Sequence, residues 1–119
     1  MEYKDRSNDP LSARMVSEVA IEYGMTKLEM ATLLGVSEKT YYNLMKSSLD
    51  AHQGDRFSYM HNILEEGKHT FNGLSNFKDW LHTEQSTFGG ATPLQKMSSL
   101  VGAQEVLAEM TKIKHGIFA

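Results

Sequence analysis

The chain has 119 residues, a formal net charge of −3 and 40% hydrophobic residues, a composition that excludes global disorder. It has no cysteine, which excludes disulfides, thiol catalysis and cysteine-ligated metal sites. The acidic balance is not typical of a nucleic-acid binder, although local charge decides affinity. The sequence has no apolar run of transmembrane length and no signal-peptide core at its start, so we expect a cytoplasmic protein without a membrane partner.

Apolar residues recur at helical spacing along most of the chain, while β-branched runs are missing. This pattern predicts an all-α fold, with a helix-turn-helix domain followed by a small C-terminal helical bundle. We expect a flexible lead-in over residues 1–10, the helix-turn-helix domain over 11–50 and the C-terminal domain over 51–119. The polar stretch 48–55 is the predicted linker between the two domains.

A first helix is predicted to end at Gly24 and to begin near Ser12, which can cap it. Its core face is marked by Leu11, Met15, Val16, Val19 and Tyr23.

The clearest local motif follows that helix. Thr26 and Glu29 have the spacing of a capping box, which opens a short helix. Ala31 is small enough for two helices to cross closely, Gly35 turns the chain, and apolar Val36 fills the corner. This arrangement predicts a helix-turn-helix.

The second helix of this motif is predicted to run from Glu38 to about Ser47, and it would enter a DNA major groove by its N-terminal end. Asn43 suits adenine, and Lys39 suits guanine or phosphate. The alternative is a helical corner used only for packing or dimerisation. The acidic residue Glu38 at the start of the helix and the small number of basic residues favour this alternative. The predicted DNA contacts are Ser37, Lys39, Thr40, Tyr42, Asn43 and Lys46.

The C-terminal part is predicted to open with a helix from about Arg56, with a possible bend at Gly67. An Asn72-Gly73 turn follows, and Ser75 can cap the next helix. On that helix Trp80 is expected in the core rather than at an interface. Inward positions on the two helices are Phe57, Met60, Ile63, Leu64, Phe71, Phe77 and Leu81.

Thr92-Pro93 is a helix start, because the threonine can cap and the proline has no amide to lose. The helix that they open is predicted to bury Leu94, Met97, Leu100 and Val101 and to break at Gly102. A last helix is predicted from about Ala103 to a glycine cap at Gly116. Its predicted inward residues are Ala103, Val106, Leu107, Met110 and Ile113.

No residue pattern points to catalysis. The five histidines are scattered, and none pairs with another at metal-ligand spacing. The glycines do not form a phosphate-binding loop, because no strand precedes Gly89-Gly90. We therefore expect a binding module rather than an enzyme, with no metal, no cofactor and no small-molecule substrate.

Three motifs near the end of the chain carry a family resemblance: Gly89-Gly90-x-Thr92-Pro93-Leu94, then Gly102-Ala103-x-x-Val106, then the residues 115–119. In this order they resemble the toxin-binding domain of Xre/MbcA/ParS-type antitoxins, and the resemblance runs from about Ser12 to Ala119. Residues 30–40 look like the helix-turn-helix of Xre-type repressors. Family members usually carry arginine where this chain has Ala91.

The resemblance implies an antitoxin that binds a RES-domain toxin, an NAD-consuming enzyme, and that binds its own operator DNA as a homodimer. The apolar residues Ile117, Phe118 and Ala119 are then expected to enter the toxin. The alternative is a plain transcription regulator with a C-terminal dimerisation domain and no toxin partner. A third possibility is an antitoxin whose DNA-binding surface has decayed. The residues expected to contact the toxin are Lys112, Lys114, His115, Gly116, Ile117, Phe118 and Ala119.

Overall fold

The computed structural model describes residues 13–116, and within them the all-α prediction is confirmed. Seven α-helices are joined by short loops in this range, and one of the loops contains a 3₁₀ turn at Ser86–Phe88. The predictions for the lead-in over 1–10, for Leu11 and Ser12, and for Ile117, Phe118 and Ala119 lie outside the described residues. The helices are α1 Ala13–Glu22, α2 Lys27–Leu34, α3 Glu38–Leu44, α4 Ala51–Thr70, α5 Leu74–Leu81, α6 Pro93–Lys96 and α7 Leu100–His115.

The chain divides into two compact units, an N-terminal unit that ends at Tyr59 and a C-terminal unit that begins at Met60. The predicted polar linker over 48–55 is wrong in its second half, because α4 already begins at Ala51. Asp50 and Gln53 form a reciprocal capping pair: the Gln53 amide donates to the Asp50 carboxylate (2.8 Å), and the Asp50 amide donates to the Gln53 side chain (3.0 Å). The capped helix start explains the polar composition of this stretch.

In the N-terminal unit the predicted helix-turn-helix is present, with α2 and α3 packed against each other. The capping box is confirmed, because the Glu29 amide donates to Thr26 Oγ1 (3.1 Å) and the Thr26 amide donates to Glu29 Oε1 (2.9 Å). Gly35 ends α2 in the left-handed conformation, and Ser37 caps α3. The buried core of this unit includes Val16, Val19, Tyr23, Met30, Ala31, Leu33, Leu34, Tyr41 and Phe57.

In the C-terminal unit α4 continues unbroken through Gly67, and no bend is needed to explain this glycine. The buried ring of Phe77 from α5 lies directly over it, and a Cβ atom at Gly67 would come closer than 3.0 Å to that ring. Glycine is therefore the residue that lets α5 pack closely on α4. The core around this contact includes Met60, Ile63, Leu64 and Leu81.

Helix α5 begins after Gly73, and Ser75 is not its cap. The Asn72-Gly73 turn is confirmed, with both residues at positive φ. Trp80 is half-buried rather than fully in the core. Its ring lies 4.8 Å from the Phe71 ring and 6.4 Å from the Phe88 ring, so it joins an aromatic cluster at one edge of the unit.

The segment from α6 to α7 differs most from the prediction. Helix α6 ends at Lys96, and Ser99 caps α7, so α7 starts at Leu100 and not near Ala103. The predicted burial of Leu100 and Val101 is wrong, because these side chains are 47% and 65% exposed.

Gly102 does not break a helix. It lies in the first turn of α7, where its amide donates to the Ser99 hydroxyl (2.9 Å). A Cβ atom there would come closer than 3.0 Å to the backbone carbonyl of Lys96. The predicted inward face is confirmed for Ala103, Val106 and Met110. Leu107 and Ile113 are half-buried.

Replacing Gly67 with alanine tests the contact with Phe77. Overpacking in a dense core costs about 1–3 kcal/mol, while alanine in a helix gains about 1 kcal/mol over glycine. We expect G67A to lower the free energy of unfolding by up to about 2 kcal/mol, measured by urea denaturation. In a Phe77→Leu background the same change should cost less. A stabilised G67A protein would contradict the contact.

Replacing Gly102 with alanine tests the corner between α6 and α7. The obstructing atom is a backbone carbonyl, which cannot turn aside as a side chain can. We expect G102A to lower the free energy of unfolding by about 2–3 kcal/mol. The matched control is Gln104→Ala in the same part of α7, at an exposed position, which should change stability by less than about 0.5 kcal/mol. Equal effects of the two variants would exclude the proposed role of Gly102.

Candidate functional site

The Gly89-Gly90 pair closes a tight loop that leads into α6. Both glycines have positive φ, and open space surrounds the position where a Cβ would stand, so conformation rather than crowding requires them. The Gly90 amide donates to the Gln85 carbonyl (2.9 Å), and the Gln85 amide donates to the Ala91 carbonyl (3.0 Å). Ala91 thus holds the loop through its backbone, which any residue in its place can do.

Thr92 then starts α6 with a second capping box. The Gln95 amide donates to Thr92 Oγ1 (3.0 Å), and the Thr92 amide donates to Gln95 Oε1 (2.8 Å). Pro93 and Leu94 are buried beneath this turn. The first motif therefore builds a loop, a cap and a buried anchor, and its side chains present little to a partner.

The second motif, Gly102-Ala103-x-x-Val106, is also structural. Gly102 packs on the Lys96 carbonyl, and Ala103 and Val106 are fully buried. Outside the core, Lys96 Nζ lies 2.6 Å from Glu105 Oε1 and 5.9 Å from the Phe88 ring centre. This exposed pair contributes up to about 1 kcal/mol and links α6 to α7.

The last turn of α7 presents the predicted toxin contacts. Lys112, Lys114 and His115 are exposed, and Gly116 ends the helix in the left-handed conformation, with its amide bonded to the Ile113 carbonyl (3.1 Å). The positive charges of Lys112 and Lys114 also suit the negative end of the helix dipole. The described residues thus end on an exposed, capped helix terminus.

Lys112 and Lys114 already face carboxylates of this unit. Lys114 Nζ lies 3.2 Å from Glu66 Oε2 on α4, and Lys112 Nζ lies 4.0 Å from Glu109 Oε1. Exposed pairs of this kind are weak, so the lysines can exchange partners at little cost. Their net attraction for an acidic surface is nevertheless smaller than the sequence suggests.

A shallow groove runs beside α7, and it is not among the features predicted from the sequence. Phe88 and Thr87 form one side, and Glu105, Ala108 and Lys112 form the other, enclosing about 230 Å³. The sequence does carry a signal for it, because Glu105, Ala108 and Lys112 share one helix face. Lys112 makes this groove continuous with the exposed end of α7.

The predicted DNA contacts lie on α3 or next to its two ends. All six, Ser37, Lys39, Thr40, Tyr42, Asn43 and Lys46, are at least partly exposed. Some already have partners: the Ser37 hydroxyl donates to Thr40 Oγ1 (3.0 Å), and Lys46 Nζ lies 4.4 Å from the centre of the Tyr42 ring. Exposed Glu38 lies among them, at the start of α3.

Two other residues of this unit have structural roles. Arg56 Nε donates to the Leu33 carbonyl at the end of α2 (2.7 Å). Its guanidinium group therefore lies beside Gly35 in the turn and not on α3. Tyr41 is buried, and this burial raises the pKa of its phenol, so it stays neutral. Its ring therefore serves as a core residue of this unit.

Between residues 13 and 116, no cluster of three or more histidine and acidic side chains is arranged to hold a metal ion. In the same range, none of the helices combines the length and apolar character of a membrane span.

Comparison with protein families places the C-terminal part of the chain. The model of the antitoxin Xre/MbcA/ParS C-terminal toxin-binding domain matches residues 67–116. A comparison with curated protein sequences returns no match. The matched segment begins at the Gly67 contact and ends at the Gly116 cap, and it contains the first two motifs and the start of the third. The family resemblance is thereby confirmed over residues 67–116, which match the toxin-binding domain of Xre/MbcA/ParS antitoxins.

Proposed function

We propose that this chain is the antitoxin of a toxin–antitoxin pair and that it neutralises a RES-domain, NAD-consuming toxin. The observation that carries the proposal is the match of residues 67–116 to a toxin-binding domain. The motif residues in this segment build the corner between α6 and α7, and α7 then ends at the Gly116 cap. The chain acts by binding, without catalysis. A plain regulator that lacks a toxin partner leaves the presence of this domain unexplained.

The proposed contact surface begins at the exposed end of α7 and continues along residues 117–119. Lys112 and Lys114 would leave their weak intramolecular pairs for carboxylates of the toxin. Ile117 and Phe118 would fill an apolar groove of the toxin, where buried aromatic anchors provide most of the binding energy.

Deleting residues 117–119 tests this mode of inhibition. We expect inhibition of the NAD-consuming activity of a RES-domain protein encoded beside this chain to weaken by about 100-fold, because a binding hot spot contributes about 3 kcal/mol. The matched control changes the N-terminal unit instead: the variant with both Lys39→Ala and Asn43→Ala should inhibit like the unaltered protein. The mechanism is wrong if the shortened protein inhibits equally well.

A second activity, operator binding by the N-terminal unit, is proposed on a separate observation. The six side chains expected to meet DNA are all exposed and lie on α3 or next to its ends, with Ser37 at the N-terminal end that would enter a major groove. One helix-turn-helix makes few contacts, so we propose that a homodimer reads paired half-sites. In the proposed system this binding represses the chain's own transcription.

Lys39 and Asn43 should then matter to DNA binding alone. Changing both to alanine is expected to weaken binding to the DNA upstream of the coding sequence by at least about tenfold, since each base contact contributes about 1–3 kcal/mol. If Lys39 meets a phosphate, the slope of log K against log salt concentration should also become shallower by about 1. The measurement is a fluorescence titration at several salt concentrations.

The chain shortened by residues 117–119 is the matched control, and it should bind this DNA like the unaltered protein. Unchanged affinity and salt slope in the Lys39→Ala, Asn43→Ala variant would instead support a helix-turn-helix that serves only for packing or dimerisation.

A further inference from the structure

An apolar groove lies on the N-terminal unit between α1 and α3. It encloses about 350 Å³, and its lining includes Ala20 and Ile21 of α1, Tyr41 and Tyr42 of α3, and Met45 just beyond α3. The Ser17 hydroxyl of α1 donates a weak hydrogen bond to Met45 Sδ across 3.8 Å, which ties the two sides together. The groove is therefore a formed feature of this unit.

The groove exposes large apolar side chains to solvent. Ile21 is 79% exposed and Tyr42 is 55% exposed, and both line it. Burying an isoleucine this exposed removes apolar surface from water, which favours association. Apolar surface gathered in a concave site marks an interaction surface more often than chance.

Charges around the groove complement each other. Lys27 and Lys46 lie at its rim, while the exposed face of α1 carries Glu18 three residues before Ile21. The unit thus presents both a projecting apolar residue with an acidic neighbour and an apolar groove with a basic rim. A two-fold axis can bring each feature of one copy against the other feature of a second copy.

We propose that a second copy of this chain docks in the α1–α3 groove, with Ile21 of each copy inserted into the groove of the other. Glu18 of each copy then faces the lysines at the opposite rim. This assembly covers Tyr42 and Lys46, two of the residues that the proposed operator binding needs exposed. It is therefore a DNA-free dimer, distinct from one that reads paired half-sites, and it competes with DNA.

Ile21→Gln removes the apolar insertion without changing the charge. We expect sedimentation equilibrium of the full chain to show a dimer whose dissociation constant rises by about 100-fold or more in this variant, since the two-fold axis repeats the insertion at two places. The matched control is Leu28→Gln, at a position that is 58% exposed and does not line the groove, and it should dimerise like the unaltered protein.

A charge test checks the orientation independently. Glu18→Lys should weaken the dimer, and adding Lys46→Glu to it should restore part of the affinity. A monomeric unaltered protein, an Ile21→Gln dimer of unchanged affinity, or equal weakening by Leu28→Gln would each overturn the proposal.

Titration with the DNA upstream of the coding sequence separates this dimer from an operator-binding one. Ile21→Gln should bind that DNA at least as tightly as the unaltered protein, because it frees α3. If Ile21→Gln loses DNA affinity together with dimerisation, the groove dimer is the DNA-binding form and the proposed competition is wrong.

Discussion

The close approach of α7 to the Lys96 carbonyl sets the path of the last helix. Gly102 allows the contact, and Ser99 caps the helix at the same point, so the corner between α6 and α7 has one geometry. Helix α7 then buries Ala103, Val106 and Met110, and most side chains of its last turn are exposed. The position of the exposed end at Gly116 depends on this contact.

The first and second motifs of the family resemblance have a structural explanation. Gly89-Gly90 and Thr92 build the loop and cap before α6, and Gly102 builds the corner after it. Ala91 contributes backbone hydrogen bonds to the loop, so the replacement of arginine there leaves the fold intact. The residues that identify the family thus differ from those that we propose to meet the toxin, which lie at the end of α7 and beyond.

Much of this fold could be predicted from local chemistry. The capping box at Thr26, the helix start at Thr92-Pro93, the αL cap at Gly116 and the core positions of α4 each follow from patterns within a few residues. The start of α7 could not be predicted in this way. A glycine between apolar residues is typical of a helix break, but here Gly102 lies within the helix and permits close packing.

The errors at the linker and the grooves have different physical causes. Asp50 and Gln53 cap α4, but polar residues with a glycine nearby are also typical of a spacer, so the predicted linker extends too far. The grooves beside α3 and α7 form where separate elements pack together. A local pattern shows that Glu105, Ala108 and Lys112 share a helix face, but it does not show which element lies opposite that face. Long-range packing is therefore what the sequence leaves undetermined, both in the fold and at the candidate site.

We propose that the toxin contacts the C-terminal unit near the end of α7 and leaves the helix-turn-helix surface free. Hydrogen exchange of the full chain, alone and saturated with a RES-domain toxin, distinguishes these two surfaces. We expect slower exchange over the last turn of α7 and residues 117–119, with unchanged exchange over α2 and α3. Protection confined to α3, or no protection in the C-terminal unit, would contradict it.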